Sequence, residues 1–200
     1  MLLLSEEAPL TAHWLADVLR EAGVPDGAVN VVTGPGERIG DALTTHPLVK
    51  AVMFTGSSRV GKHIGALCGA HMKRVVLELG GKNPMIVCAD ADIDNAAQSA
   101  AVGNFFFQGQ VCMAASRVYV ERPVFDEFTA KFKAHAEAFG MGELRDPATW
   151  IGPIISARQR ARVRHHIEDA VANGASVVTG GTGDSGFGRE GTDIDIDTLT

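Results

Sequence analysis

Short β-branched segments alternate with segments of helical period along the first eighty residues, and this alternation narrows the fold more than any other feature. Residues 9–22 carry Leu10, Trp14, Leu15, Val18 and Leu19 at helical spacing and end at Gly23, a natural C-terminal cap. Residues 29–32 read as a strand closed by Gly34-Pro35-Gly36, residues 37–45 as a helix and residues 51–54 as a strand. Thr55-Gly56-Ser57-Ser58 opens a helix to about Cys68, and residues 75–77 form a third strand. The order strand, helix, strand, helix, strand predicts an α/β fold with a parallel sheet wrapped by helices.

The rhythm changes around Gly80-Gly81. Residues 85–88 predict a strand, and Asp92 caps a long Ala-rich helix to about Phe107. Residues 117–120 form a strand, and residues 124–139 an amphipathic helix with Phe125, Phe128 and Phe132 on one face. A further helix over 157–173 leads to a strand at 176–178. The last twenty residues, 181–200, are expected to be a flexible tail unless a partner strand receives the alternating Asp and Ile of 193–197.

Composition excludes several classes. A hydrophobic fraction of 46% and a charged fraction of 21% suit a soluble globular chain, and no apolar run approaches the roughly 18–20 residues of a membrane span. Met1-Leu2-Leu3-Leu4 is too short for a signal-peptide core and lacks a basic flank. A net charge of −6 argues against a nucleic-acid partner, and the Arg158–His166 run reads as a solvated helix face. Cysteines at 68, 88 and 112 give neither a disulfide framework nor a metal-ligand pattern, so no metal and a cytoplasmic, reducing setting are expected.

Two residues carry candidate chemistry. Cys112 follows Gly109-Gln110-Val111 and is a candidate nucleophile, against the plain alternative of a small buried hydrophobe. Glu78, flanked by Leu77 and Leu79, is a candidate base, expected to be desolvated enough to take a proton near neutrality; the alternative is a solvated charge. Thr55-Gly56-Ser57 sits between a strand and a helix start, where free N–H groups and the helix dipole receive a phosphate or simply make an N-cap turn. Gly34 to Gly40 lacks the GxGxxG spacing and is weak evidence by itself. Phe105, Phe106 and Phe107 either line an apolar substrate mouth or pack into the core.

Five stretches in order resemble the NAD(P)-dependent aldehyde dehydrogenase superfamily: Phe54 to Ser57, Leu77 to Pro84, Gly109 to Cys112, Ser116-Arg117 and Gly152-Pro153. The resemblance implies a Rossmann-like cofactor domain, in part, over residues 1–80, and part of an α/β catalytic domain bearing the thiol over 81–180. It implies that Cys112 attacks an aldehyde as thiolate and that Glu78 activates the water that releases the acyl group. It implies NAD as cofactor, with Gly56 and Ser57 at the pyrophosphate, Phe54 beside them, Val60 and Gly40 near the adenine and its ribose, and Leu79 near the nicotinamide. Glu6 matches the acid that binds the adenosine ribose hydroxyls, which favours NAD over NADP. Family members are homo-oligomers, dimers or tetramers.

Against the family pattern, the chain is expected to be a truncated and internally deleted member. Leu3 stands where the family has a ribose-contacting lysine, and Gly180-Gly181 runs almost directly into a string, residues 185–191, that resembles the family's far C-terminus. The expected function is oxidation of a small-molecule aldehyde to an acid. The alternatives are a catalytically impaired fragment that binds only nucleotide or a partner subunit, and a thiol esterase that needs no cofactor.

Overall fold

Three consecutive leucines form a strand, β1 (Leu2–Leu4), that the patterning above leaves unassigned. In this computed structural model residues 1–180 and the backbone of residues 195–199 are described. The chain divides into two units, Met1–Leu79 and Gly80–Thr200.

In the first unit β1 is followed by α1 (Pro9–Glu21), β2 (Val31–Thr33), α2 (Gly36–Thr45), β3 (Ala51–Gly56), α3 (Ser58–Ala70) and β4 (Arg74–Leu79). β1 pairs with β2 and β3 with β4, both in parallel, with Leu2 opposite Val31 and Ala51 opposite Arg74. Each pair is joined through a helix, the crossover that parallel strands require. β1 escapes a sequence reading because three residues are too few to show a period of two. Its pairing is started by the Leu2 N–H, which donates to the Asn30 carbonyl at 2.7 Å. β2 begins two residues later than the patterning suggests, because the Asn30 side chain donates to the Gly27 carbonyl at 2.7 Å and holds a turn there. Lys73 Nζ donates to the Thr44 and His46 carbonyls, each at 2.6 Å, and so ties the C-terminal end of α2 to the chain entering β4.

Burial in this unit is thin. Thr44, Gly61 and Cys68 are its buried residues. α1 forms as expected, yet its apolar stripe is not covered, and Leu10 and Trp14 stay 80% and 68% exposed.

The second unit contains β5 (Pro84–Val87), α4 (Ile93–Phe105), β6 (Arg117–Glu121), α5 (Phe125–Glu137), α6 (Ala157–Ala172) and β7 (Asp195–Leu199). The strand order is β5-β6-β7, all parallel. α4 starts where Asp92 Oδ1 accepts the Asn95 N–H at 3.1 Å. Its small Ala97, Ala100 and Ala101 let it lie close to α5, where Phe128 and Phe132 stack one turn apart with ring centroids at 5.8 Å. Val87, Val118 and Val120 complete this core from the sheet.

Two expectations change here. Residues 176–178 form no strand; Val177 and Val178 are exposed, and no strand among the described residues lies beside them to pair with. In the expected tail, the backbone of β7 pairs with β6, Arg117 opposite Asp195 through Glu121 opposite Leu199. The remainder of that tail, residues 181–194 and Thr200, lies outside the described residues. No helix among the described residues is long and apolar enough to cross a membrane.

Candidate active site

Of the sequence-selected cofactor residues of the first unit, Phe54, Gly56, Ser57, Val60 and Leu79 lie at the carboxyl ends of β3 and β4 and the start of α3, where parallel sheets present ligand sites, while Gly40 and Glu6 lie on other elements. Ser57 caps α3, its Oγ accepting the Val60 N–H at 3.3 Å, and leaves the other first-turn N–H groups open. Gly56 ends β3, and a Cβ there would stand 2.5 Å from Cζ of Phe54, so the ring of residue 54 lies over residue 56. Leu79 ends β4 and fills the space over Gly61, where a Cβ would meet its Cδ2 at 2.6 Å. Phe54, Val60 and Leu79 are each half-buried. Gly40 lies on α2, which is tied to α3 by His63 Nε2 and Asp41 Oδ1 at 2.8 Å. No atom comes within 4 Å of a Cβ built on Gly40, so nothing in the first unit demands a glycine there. Glu6 is exposed in the turn that follows the carboxyl end of β1.

Glu78 departs from its expected setting. It lies on β4 opposite Thr55, and both are exposed. In a strand, neighbours along the chain point to opposite faces. Leu77 and Leu79 accordingly face α3, where they pack near Gly65 and Gly61, while Glu78 faces away. Flanking leucines therefore do not desolvate this carboxylate; a residue two positions away, or one across the ladder, is what surrounds a strand side chain.

Cys112 belongs to the second unit, is exposed, and sits in a turn between α4 and β6. The Ala114 N–H donates to the Val111 carbonyl at 3.0 Å, which places Cys112 and Met113 at the corners of the turn. Asn83 Nδ2 reaches this turn from the residue before β5, donating to the Cys112 carbonyl at 2.7 Å and the Ala114 carbonyl at 3.0 Å. Upstream, Phe107, Gln108 and Gly109 all have left-handed backbone, with φ of 50°, 56° and 71°. Gln108 Nε2 donates to the Gly152 carbonyl at 2.9 Å and pins that end of the loop. Side-chain amides thus hold the cysteine loop on both sides.

Of the other thiols, Cys68 is buried in α3, and Cys88 is exposed just beyond β5 rather than within it. The three phenylalanines divide. Phe105 is in the core, its ring 6.0 Å from Phe132 and from Phe139, whereas Phe106 and Phe107 are exposed. Phe106 lines a shallow hollow with Val102, Phe105, Phe139, Trp150 and Ile151. Sequence reasoning singled out neither Asn83, which stands inside the Leu77 to Pro84 stretch, nor Gln108, which directly precedes the Gly109 to Cys112 stretch. The available signal was a primary amide immediately before a strand-opening proline.

Comparison with known proteins bears on the family. A profile described as the aldehyde dehydrogenase family matches residues 2–193. The chain is 46% identical over 178 residues to phenylacetaldehyde dehydrogenase of Pseudomonas fluorescens, covering 89% of this chain and 36% of that protein. It is 44% identical over 186 residues to aldehyde dehydrogenase, cytosolic 1, of Rattus norvegicus, covering 92% and 37%. Among solved structures, an indole-3-acetaldehyde dehydrogenase complexed with NAD+ superposes with a TM-score of 0.91 at 35% identity, covering 98% of this chain and 45% of that one. An NADP-dependent enzyme of E. coli superposes at 0.87 with 36% identity, covering 96% and 44%. The chain spans little more than a third of the length of the curated relatives it matches.

Proposed function

The chain belongs to the aldehyde dehydrogenase family, and from that premise we propose that it carries the thiol and cofactor chemistry of an NAD-dependent aldehyde oxidation. The observation that carries this reading is the thiol itself: Cys112 is exposed on a loop pinned from both sides, while Cys68 is buried in a helix. Cys112 as thiolate adds to the aldehyde carbon and forms a C–S bond; the thiolate is the reactive form of the residue. Loss of hydride from that carbon leaves a thioester on Cys112. Glu78 takes a proton from the water that attacks the thioester, releasing the carboxylic acid and the thiol. The Cys112 N–H, with no backbone acceptor among the described residues, is available to the developing oxyanion.

The residues of the first unit fit a dinucleotide. Ser57 and the open N–H groups of the first turn of α3 receive a pyrophosphate, and Gly56 lets it approach the backbone. Gly40 leaves open space on α2 for the adenosine, with Val60 assigned beside it, and Phe54, its ring over Gly56, is assigned to the pyrophosphate side. Leu79, at the end of β4, is assigned to the nicotinamide side. A bound nicotinamide supplies the hydride acceptor. Glu6 would accept hydrogen bonds from the adenosine ribose and repel a 2′-phosphate, so we assign NAD in preference to NADP. A cytoplasmic setting, suited to three free thiols, and assembly into homo-oligomers belong to the same proposal.

The test is a pre-steady-state assay at the NADH absorbance band with a small aldehyde. Cys112→Ser should abolish both the first turnover and the steady state. Glu78→Gln should keep a first-turnover burst and lose about 10²–10⁴-fold in the steady state, the usual span for a removed general base. Activity retained in Cys112→Ser would overturn the reading. An activated-ester substrate run without NAD separates esterase chemistry from oxidation.

A further inference from the structure

We propose that Asn83 is a positioning residue for Cys112, its single side-chain nitrogen clamping the two carbonyls of the turn that presents the thiol. The inference rests on Cys112 as the nucleophile. A primary amide nitrogen offers two N–H donors, and Asn83 spends one on the Cys112 carbonyl at 2.7 Å and one on the Ala114 carbonyl at 3.0 Å. Holding the Cys112 carbonyl toward Asn83 fixes the peptide plane between Cys112 and Met113. That sets ψ of Cys112 and the direction in which its side chain leaves the turn.

Asn83 is itself held firmly. Its carbonyl accepts the Arg117 N–H at 3.2 Å, at the mouth of the β5–β6 ladder. Pro84 follows it and opens β5, and a residue before proline is confined to extended backbone. Gly81 leaves room for the other end of the amide, since a Cβ there would stand 3.3 Å from Asn83 Oδ1. One residue therefore connects β5, β6 and the cysteine turn. The clamp is also electrostatic: each donor offsets a carbonyl's partial negative charge in the turn that bears the sulfur.

Iodoacetamide labelling of the whole chain at neutral pH, read peptide by peptide by mass spectrometry, follows all three thiols at once. Cys88 is an exposed internal reference, and the buried Cys68 reports opening of the first unit. Amide exchange at Val118 and Val120 reports the integrity of the second. Relative to Cys88, labelling of Cys112 should fall about threefold in Asn83→Ala, as both modest hydrogen bonds are lost. It should fall roughly tenfold in the isosteric Asn83→Asp, which sets a negative charge against both carbonyls. Asn83→Ser, with one donor, should lie between wild type and Asn83→Ala.

A purely packing role predicts the opposite order, because Asp fills the volume of Asn and Ala leaves a hole. An unchanged ratio in all variants, or Asn83→Asp milder than Asn83→Ala, overturns the proposal. If Asn83→Asp loses protection at Val118, the Ser and Ala variants decide alone, and an unchanged ratio in both overturns it. Labelling needs neither aldehyde nor NAD. Failure of the clamp therefore shows in the labelling ratio, whereas failure of the nucleophile assignment shows as aldehyde oxidation surviving Cys112→Ser.

Discussion

In the second unit α4 and α5 close over β5 and β6 and leave Phe128, Val118 and Val120 with no exposure, whereas in the first unit Thr44, Gly61 and Cys68 are the buried residues. Both units obey the same local rules. Each pairs parallel strands through helices, and each starts a helix on a side-chain cap, Ser57 in one and Asp92 in the other. The difference lies in what lies over the sheet. β3 and β4 are packed by α3 on the face of Leu77 and Leu79, while Met53, Val76 and Glu78, on the alternate face, are exposed. Elements form from local signals, but a core needs apolar side chains from facing layers to meet. The thiol thus stands on the well-packed unit, and the proposed cofactor residues on the thinly packed one.

The strongest challenge to this contrast is Phe128→Ala. It removes a fully buried ring stacked on Phe132 and should cost about 3–5 kcal/mol, seen as loss of amide protection across β6 and α5 with α3 unaffected. Equal loss of protection in α3 would mean the units unfold as one. Next in size is Gly56→Ala, whose new methyl meets the Phe54 ring at 2.5 Å. The ring must move, at a cost of about 1–3 kcal/mol. Thermal protection by NAD should shrink with it, and unchanged protection would detach residue 56 from the cofactor.

The two caps make a finer comparison. Ser57→Ala and Asp92→Ala should each cost about 1 kcal/mol in denaturant titrations, since each removes an acceptor for a first-turn N–H. Only Ser57→Ala should also weaken NAD binding in calorimetry; equal weakening by both would erase the assignment of the cofactor to the first unit. The smallest effect concerns Lys131, held above the ordinary lysine range by its hydrogen bond to Glu127 at 3.0 Å. A raised folded-state value means the pair contributes below the unfolded lysine value near 10.5 and loses that contribution as pH rises through the folded one. Lys131→Met should therefore leave the melting temperature nearly unchanged at pH 7, because the pair is half-exposed and screened. A drop of several degrees would show that surface charge, not burial, stabilises α5.

The helices and most strands were legible because their signals are local: a cap at Asp92, strand-favouring Val, Phe and Tyr within 51–54 and 117–120, phenylalanines four apart in α5. Val177 and Val178 had the right composition but no partner strand among the described residues, and pairing is a property of two segments rather than one. Glu78 was misread by counting chain neighbours where the ladder counts alternate ones. Cys112 was singled out from its Gly-Gln approach, yet what holds its turn was not. A bridge from Asn83 to a turn twenty-nine residues on leaves no trace in spacing, and nothing about Phe107 or Gln108 announces a positive φ.

That run of left-handed backbone carries a consequence for laboratory evolution. A bulky residue such as Phe107 is costly in this conformation, by roughly 1–3 kcal/mol, and glycine would relieve it. A screen that rewards only survival of heating should therefore enrich glycine at positions 107 and 108. If the survivors lose thiol reactivity as they gain durability, the loop before Cys112 is where the two demands are traded against each other.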